Sequence, residues 1–111
     1  MDDLQRVLTS LDEIEAILSQ HDHPEPNPKA LSRIRFLTAH MTGHDPYISE
    51  KASRIADLAG VFYSERKHAG HQGGASTLLV EIGYDLPNRI RGQVAYLLRG
   101  HDKRSEINHD E

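Results

Sequence analysis

Apolar residues recur at steps of three and four between residues 45 and 70, and this spacing constrains the fold more than any other feature of the sequence. Residues at such steps share one face of an α-helix. The stripe consists of Ile48, Ala52, Ile55, Ala59 and Phe62. Asp45 can accept hydrogen bonds from the first free N–H groups, and Pro46 suits the first helical position because it has no N–H to satisfy. We therefore predict a helix that begins at Pro46 and is ended by Gly70 in a left-handed cap.

The first segment, residues 3–20, carries a broader apolar stripe. Its members at heptad-like steps are Leu4, Val7, Leu11, Ile14 and Leu18, with Leu8 and Ile17 beside them. A stripe of this width is typical of a helical bundle or a dimer interface rather than of an isolated two-stranded coil. We expect it to form a homodimer interface through Leu4, Val7, Leu8, Leu11, Ile14 and Leu18. The alternative is that these residues form the core of a single chain.

The second helix has a start signal like that of the helix at Pro46. Residues 21–28, HDHPEPNP, contain three prolines at alternating positions and predict a stiff, extended connector. Asn27 followed by Pro28 is again a cap residue followed by proline, so we predict a helix from there to about His40. Gly43 then ends the apolar pattern.

The last third of the chain is less clear. Residues 75–82, ASTLLVEI, fit a buried strand or a short buried helix equally well by periodicity. A lone strand would have no partner in this sequence, so we predict a helix ended by Gly83. A final helix is predicted from about Leu86 to Arg99, closed by Gly100.

Together these elements predict an all-α fold, a small antiparallel bundle of four to five helices whose core dimerisation could help to complete. Residues 1–100 would form a single helical domain and residues 101–111 a disordered polar tail. Apolar residues make up 37% of the 111 residues, and aromatic residues only 5%, so the core should be mainly aliphatic. Short connections predict that the first three helices run up, down and up.

Composition argues against several classes of protein. The net charge of −4 is unlike that of a general nucleic-acid binder, and the absence of cysteine excludes disulfides and thiolate metal ligands. The first residues, MDDLQRVL, are acidic where a signal peptide would be basic, and no apolar run is long enough to cross a bilayer. We therefore expect a cytoplasmic protein that does not bind membranes.

Histidine is unusually frequent, with eight residues in the chain. The predicted topology brings the ends of the first and third helices together, which would gather five potential metal ligands. These are His21, His23, Glu65, His68 and His71. Imidazole and carboxylate groups could bind zinc or a similar divalent ion there, and we expect no other cofactor. The alternative is that the histidines lie at helix C-termini, where the dipole favours a partly positive side chain.

The same end of the predicted bundle could bind an anion or a nucleic acid. Arg66 and Lys67 precede a glycine-rich loop with Gly73 and Gly74, and glycine N–H groups that lead into a helix can bind phosphate. The P-loop pattern GxxxxGK[ST] is absent, however. A flexible connector is the alternative interpretation.

The segment ASRIADLAGVFYSERKHA resembles a helix-turn-helix, because Ala56, Gly60 and Val61 have the small and apolar types that its first helix and turn require. The resemblance implies a DNA-binding regulator. Two features depart from the motif. Arg66 stands where the second helix should bury an aliphatic residue, and the apolar stripe continues through Gly60 without a change of phase.

No arrangement of catalytic residues stands out, since the chain has no cysteine and no serine in a G-x-S-x-G pattern. Its four tyrosines, Tyr47, Tyr63, Tyr84 and Tyr96, can place rings at an interface while their hydroxyls stay in water. We therefore predict a small regulatory helical protein that acts through contacts with another protein, as an adaptor, regulator or inhibitor, and that forms a homodimer. A DNA-binding regulator and a histidine-based metal-binding protein remain alternatives.

Overall fold

The computed structural model is an all-α bundle, which confirms the predicted fold class. It describes the backbone of residues 3–41, 43, 45–63 and 74–110, and the side chains of these residues except 3, 75 and 100–110. The helices are α1 (Asp3–Gln20), α2 (Pro28–Ala39), α3 (Pro46–Phe62), α4 (Gly74–Val80) and α5 (Leu86–Asp110), with a π-helical segment at Glu81–Asp85. Over these ranges no strand is present, so the helical prediction for residues 75–82 is confirmed. None of the described helices combines the length and the apolar character that spanning a membrane requires.

The predicted helix starts are confirmed in detail. The Asn27 side chain accepts a hydrogen bond from the N–H of Ala30 at 3.1 Å. Asp45 accepts from the N–H groups of Tyr47 at 3.0 Å and Ile48 at 3.3 Å. A proline follows each cap residue at the first helical position, where the missing N–H has no cost.

The predicted end of α3 at Gly70 is wrong, because the helix ends at Phe62. Tyr63 leaves helical geometry with φ −94° and ψ 33°. Its ring then packs edge-on against Phe62, with ring centroids 5.0 Å apart, and its hydroxyl donates a hydrogen bond to the carbonyl oxygen of His21 at 2.8 Å. Burial of Tyr63 therefore decides where α3 stops. Gly70 itself lies outside the described residues.

α4, the π segment and α5 form one continuous rod, residues 74–110. Gly83 lies inside the π segment and Gly100 inside α5, so both predicted helix ends are wrong. A glycine permits a helix to end but does not force it to, and here the backbone hydrogen bonds continue through both positions. The division into a domain over residues 1–100 and a polar tail over residues 101–111 stays a prediction.

The π segment has a local cause and a packing role. Pro87 has no N–H, and in a regular α-helix its ring would press on the carbonyl group of Gly83. Just before it, the Leu86 N–H donates to the Glu81 carbonyl oxygen, five residues back, which widens the turn. Buried residues follow every fourth position at Leu78, Ile82, Leu86, Ile90 and Val94. In a regular α-helix, residues four positions apart point in directions that differ by about 40° around the axis, so such a series gradually turns away from the core. The π-helical turn, which has more residues per turn, offsets this rotation.

The rod runs antiparallel to α1 and α3. The Gln93 amide donates to Asp45 at the start of α3 at 3.1 Å, whereas Arg54 in the middle of α3 binds Glu81 at 2.9 Å. Residue numbers thus rise along the rod as they fall along α3. Because the end of α1 lies beside the end of α3, the predicted up, down and up order of the first three helices is confirmed. α1 and α3 each pack against both α2 and the rod.

The seam of α1 faces the core of the chain itself. Four of its residues are almost fully buried there, namely Val7, Leu11, Ile14 and Leu18. Leu4 and Leu8 are half-buried against the same core. These residues therefore belong to the core of a single chain, which was the alternative interpretation of the seam. The four buried side chains expose too little surface to contact a second copy. The homodimer as such stays a prediction.

Candidate functional site

The predicted metal ligands lie only partly within the described residues. His21 and His23 follow α1 and are exposed, and the His23 Nε2 atom is 3.7 Å from a carboxylate oxygen of Asp22. Glu65, His68 and His71 lie outside the described residues. Across the ranges that the structure does describe, no three histidine, aspartate or glutamate side chains are grouped closely enough to hold a metal ion. Metal binding stays a prediction.

The predicted anion site also falls mostly outside these ranges. Arg66, Lys67 and Gly73 are not described, and Gly74 is the first residue of α4, with a φ of 72°. That helix has only seven residues. The structure therefore adds no support for a phosphate-binding loop.

α3 lacks the turn that a helix-turn-helix needs at Gly60, since the helix continues through this residue to Phe62. Gly60 has a packing role instead. A Cβ atom at this position would lie 3.1 Å from the Arg35 guanidinium of α2. The small residue thus leaves room for the Arg35 side chain, and it does not mark a turn.

The structure shows a different candidate site, an open groove between α1 and the rod. It has a volume of about 320 Å³. We call it the α1–rod groove, and the residues that line it are Glu15, Leu18, Ser19, Asp22, Leu79, Val80, Gly83 and Tyr84. Two of these, Gly83 and Tyr84, belong to the π segment, and such segments occur frequently at functional sites.

The floor and one wall of the groove are apolar. Leu18 is only 2% exposed, and a Cβ atom added to Gly83 would lie 3.5 Å from its Cδ1 atom. The missing side chain of Gly83 therefore keeps the floor open above Leu18. Val80 and Tyr84, one helical turn apart, are 52% and 64% exposed. Single exposed apolar residues are ordinary, but two side by side over a concave surface make the groove a candidate binding site.

The lining of the groove is acidic. Among the described residues that line it are the carboxylates of Glu15 and Asp22 and no lysine or arginine. Arg91, outside the groove, binds Glu15 and Asp12, with 2.8 Å from its Nη2 atom to each carboxylate. These hydrogen bonds raise the pKa of Arg91 well above its ordinary value. Among the described residues, Asp22 has an ion-pair contact with His23, and its side chain is 55% exposed, so this carboxylate is accessible at the end of the groove.

A second exposed aromatic residue, Phe36 on α2, is partly covered by its own neighbours. The ring of His40 lies 4.3 Å from it between centroids, and the Arg33 guanidinium lies 5.1 Å above it. Arg33 in turn binds the carboxylate of Glu13, which lowers the pKa of Glu13. With this cover Phe36 is 51% exposed, compared with 64% for Tyr84 in the α1–rod groove.

Sequence reasoning missed this groove. Tyr84 was among the tyrosines predicted to lie at an interface, but nothing in the sequence placed it opposite Leu18. The available signal was the pairing of Val80 and Tyr84 one turn apart, with a glycine between them. Comparison with known proteins identifies no relative, since no family model, no curated protein and no solved structure matches the chain.

Proposed function

We propose that this small cytoplasmic protein acts by binding a segment of another protein in the α1–rod groove, as an adaptor, regulator or inhibitor. The observation that carries the proposal is the exposure of Val80 and Tyr84 together on one wall of an open groove. Exposed aromatic residues in a concave, partly apolar setting are characteristic of the centres of protein interfaces.

The rest of the chain supplies a rigid frame for such a site. The floor residue Leu18 is part of the core, and the wall belongs to a rod whose opposite face is buried through residues such as Ile82 and Leu86. A groove fixed in this way needs little rearrangement to bind, which lowers the entropic cost of association.

Site-specific cross-linking tests the proposal. A photoreactive phenylalanine analogue would replace Tyr84 in one variant and Tyr96 in a matched control, since Tyr96 is also exposed, at 61%, and does not line the groove. In cells of the source organism we expect the residue at position 84 to cross-link to a defined protein and the residue at position 96 not to. Equal cross-linking at both positions, or none at position 84, would contradict the proposal.

A further inference from the structure

We infer that the segment bound in the α1–rod groove is a short amphipathic helix that carries lysine or arginine beside its apolar residues. This inference rests on the proposed function and specifies the chemistry of the partner. Three properties of the groove support it, namely its walls, its size and its charge.

The walls favour a helix over an extended chain. Both are helices, α1 on one side and the rod on the other, and the backbone N–H and C=O groups within a helix are paired with one another except at its ends. An extended segment pressed between them would bury backbone groups that find no partner, at a cost for each group. A helix satisfies its own backbone groups, and docking an amphipathic helix in a groove is a recurring mode of recognition.

The size of the groove suits a few side chains of a bound segment. Its volume of about 320 Å³ is near the lower limit of ligand pockets, about 300 Å³. The stretch of α1 from Glu15 to its end at Gln20 spans about 8 Å, or one and a half helical turns. Two apolar side chains one turn apart can therefore reach Leu18, Val80 and Tyr84 from a single bound helix.

The charge of the groove favours a basic partner. Glu15 is held by Arg91, whereas Asp22, two residues beyond the end of α1, is 55% exposed. A lysine or arginine of the bound helix could form an ion pair with Asp22, while the apolar side chains of the same helix fill the floor of the groove. An acidic partner would place like charges together at the same position, which disfavours binding.

Synthetic peptides can test this inference with the whole protein. The first probe is an acetylated, amidated helical peptide of about 14 residues, roughly four turns, with two leucines one turn apart and lysines on either side of them. A second peptide replaces the lysines with glutamine, and a third replaces the leucines with serine. Binding to the protein is measured by fluorescence anisotropy of the labelled peptide.

We expect the first peptide to bind most tightly, and the third not to bind. An exposed ion pair contributes up to about 1 kcal/mol, so replacing the lysines or introducing Asp22→Asn should each weaken binding by up to about five-fold. The two changes should not add, because both remove the same interaction. Tyr84→Ser should weaken binding, while Tyr96→Ser should not. Melting curves of each variant check that the fold is kept.

Several outcomes would overturn the inference. If the glutamine peptide binds as tightly as the lysine peptide, or Asp22→Asn has no effect, the groove does not select basic partners, although the proposed function stands. If Tyr84→Ser leaves binding unchanged, the peptide binds elsewhere. If sedimentation shows a dimer that Tyr84→Ser dissociates, the occupant is a second copy of this chain. If no peptide binds and position 84 also fails to cross-link in cells, the proposed function fails as well.

Discussion

The hydroxyl of Tyr63 donates a hydrogen bond to the carbonyl oxygen of His21, 2.8 Å away and 42 positions earlier in the sequence. Tyr63 is the residue that ends α3, and His21 is the first residue after α1. This bond therefore links the ends of two helices that run in the same direction and fixes the end of the bundle next to the α1–rod groove.

Replacing Tyr63 with phenylalanine should lower the free energy of unfolding by about 1 kcal/mol, the usual net contribution of one hydrogen bond. The ring contact with Phe62 is kept, so the loss reports on the hydroxyl alone. Urea denaturation measures the change. Tyr96→Phe is the matched control, because Tyr96 is exposed and its hydroxyl can bond to water. Equal stability of the two variants would contradict the prediction.

The pH dependence of stability should also report on Tyr63. Burial, with a smaller contribution from the charge of Asp22, raises the pKa of Tyr63 from 10.0 to about 12. The folded protein thus holds the phenolic proton more tightly than the unfolded chain does. This contribution to stability is complete below pH 10 and is lost as the pH rises from about 10 to about 12. Denaturation midpoints over this range should fall more steeply for the wild type than for Tyr63→Phe, and parallel curves would contradict the assignment.

Three glycines should respond differently to replacement by alanine. Gly92 lies inside α5 with open space where a Cβ atom would be, so Gly92→Ala should raise the free energy of unfolding by about 1 kcal/mol. Gly60→Ala should stabilise by less, because the Arg35 guanidinium must shift away from a contact of 3.1 Å. Gly43 has a φ of 95°, so Gly43→Ala should destabilise by about 1 kcal/mol or more. Thermal and urea unfolding of the three variants measure the order. Destabilisation by Gly60→Ala would mean that the Arg35 side chain cannot give way, and would contradict this prediction.

Arg91 should contribute more to stability than other surface arginines. It joins α5 to two carboxylates of α1, Asp12 and Glu15, and is itself partly buried. Arg91→Ala should lower the free energy of unfolding by about 1 kcal/mol, the upper end for ion pairs near the surface. Arg54→Ala removes a single, more exposed pair with Glu81 and should cost less. Both losses should shrink at high salt, and equal losses would contradict a special role for Arg91.

The helix starts were predictable because they depend on local chemistry. Asn27 and Asp45 each bind N–H groups two or three residues further along the chain, so the sequence contains both partners. The helix ends depend on packing instead. α3 stops where Tyr63 becomes buried, far from Gly70, and the rod continues through Gly83, which lies against Leu18 of α1.

The candidate site was less predictable than the fold. Tyr63 and Tyr84 looked alike in the sequence, yet one is buried and the other is exposed. The difference arises from which helix lies opposite each ring, and no local pattern records this. The apolar seam of α1 was predicted correctly. The residues that pack against it belong to the same chain, at least for Val7, Leu11, Ile14 and Leu18.

The wide turn at Glu81–Asp85 also sets the angular position of everything that follows it. A π-helical turn holds one residue more than an α-helical turn, so removing one of its five residues should leave a regular α-helix in which Ile90 and Val94 still face the core. Removing a residue from the α-helical parts of the rod would instead rotate the later side chains by about 100° about the axis. The wide turn is therefore the place where the rod can lose a residue and keep its two halves aligned.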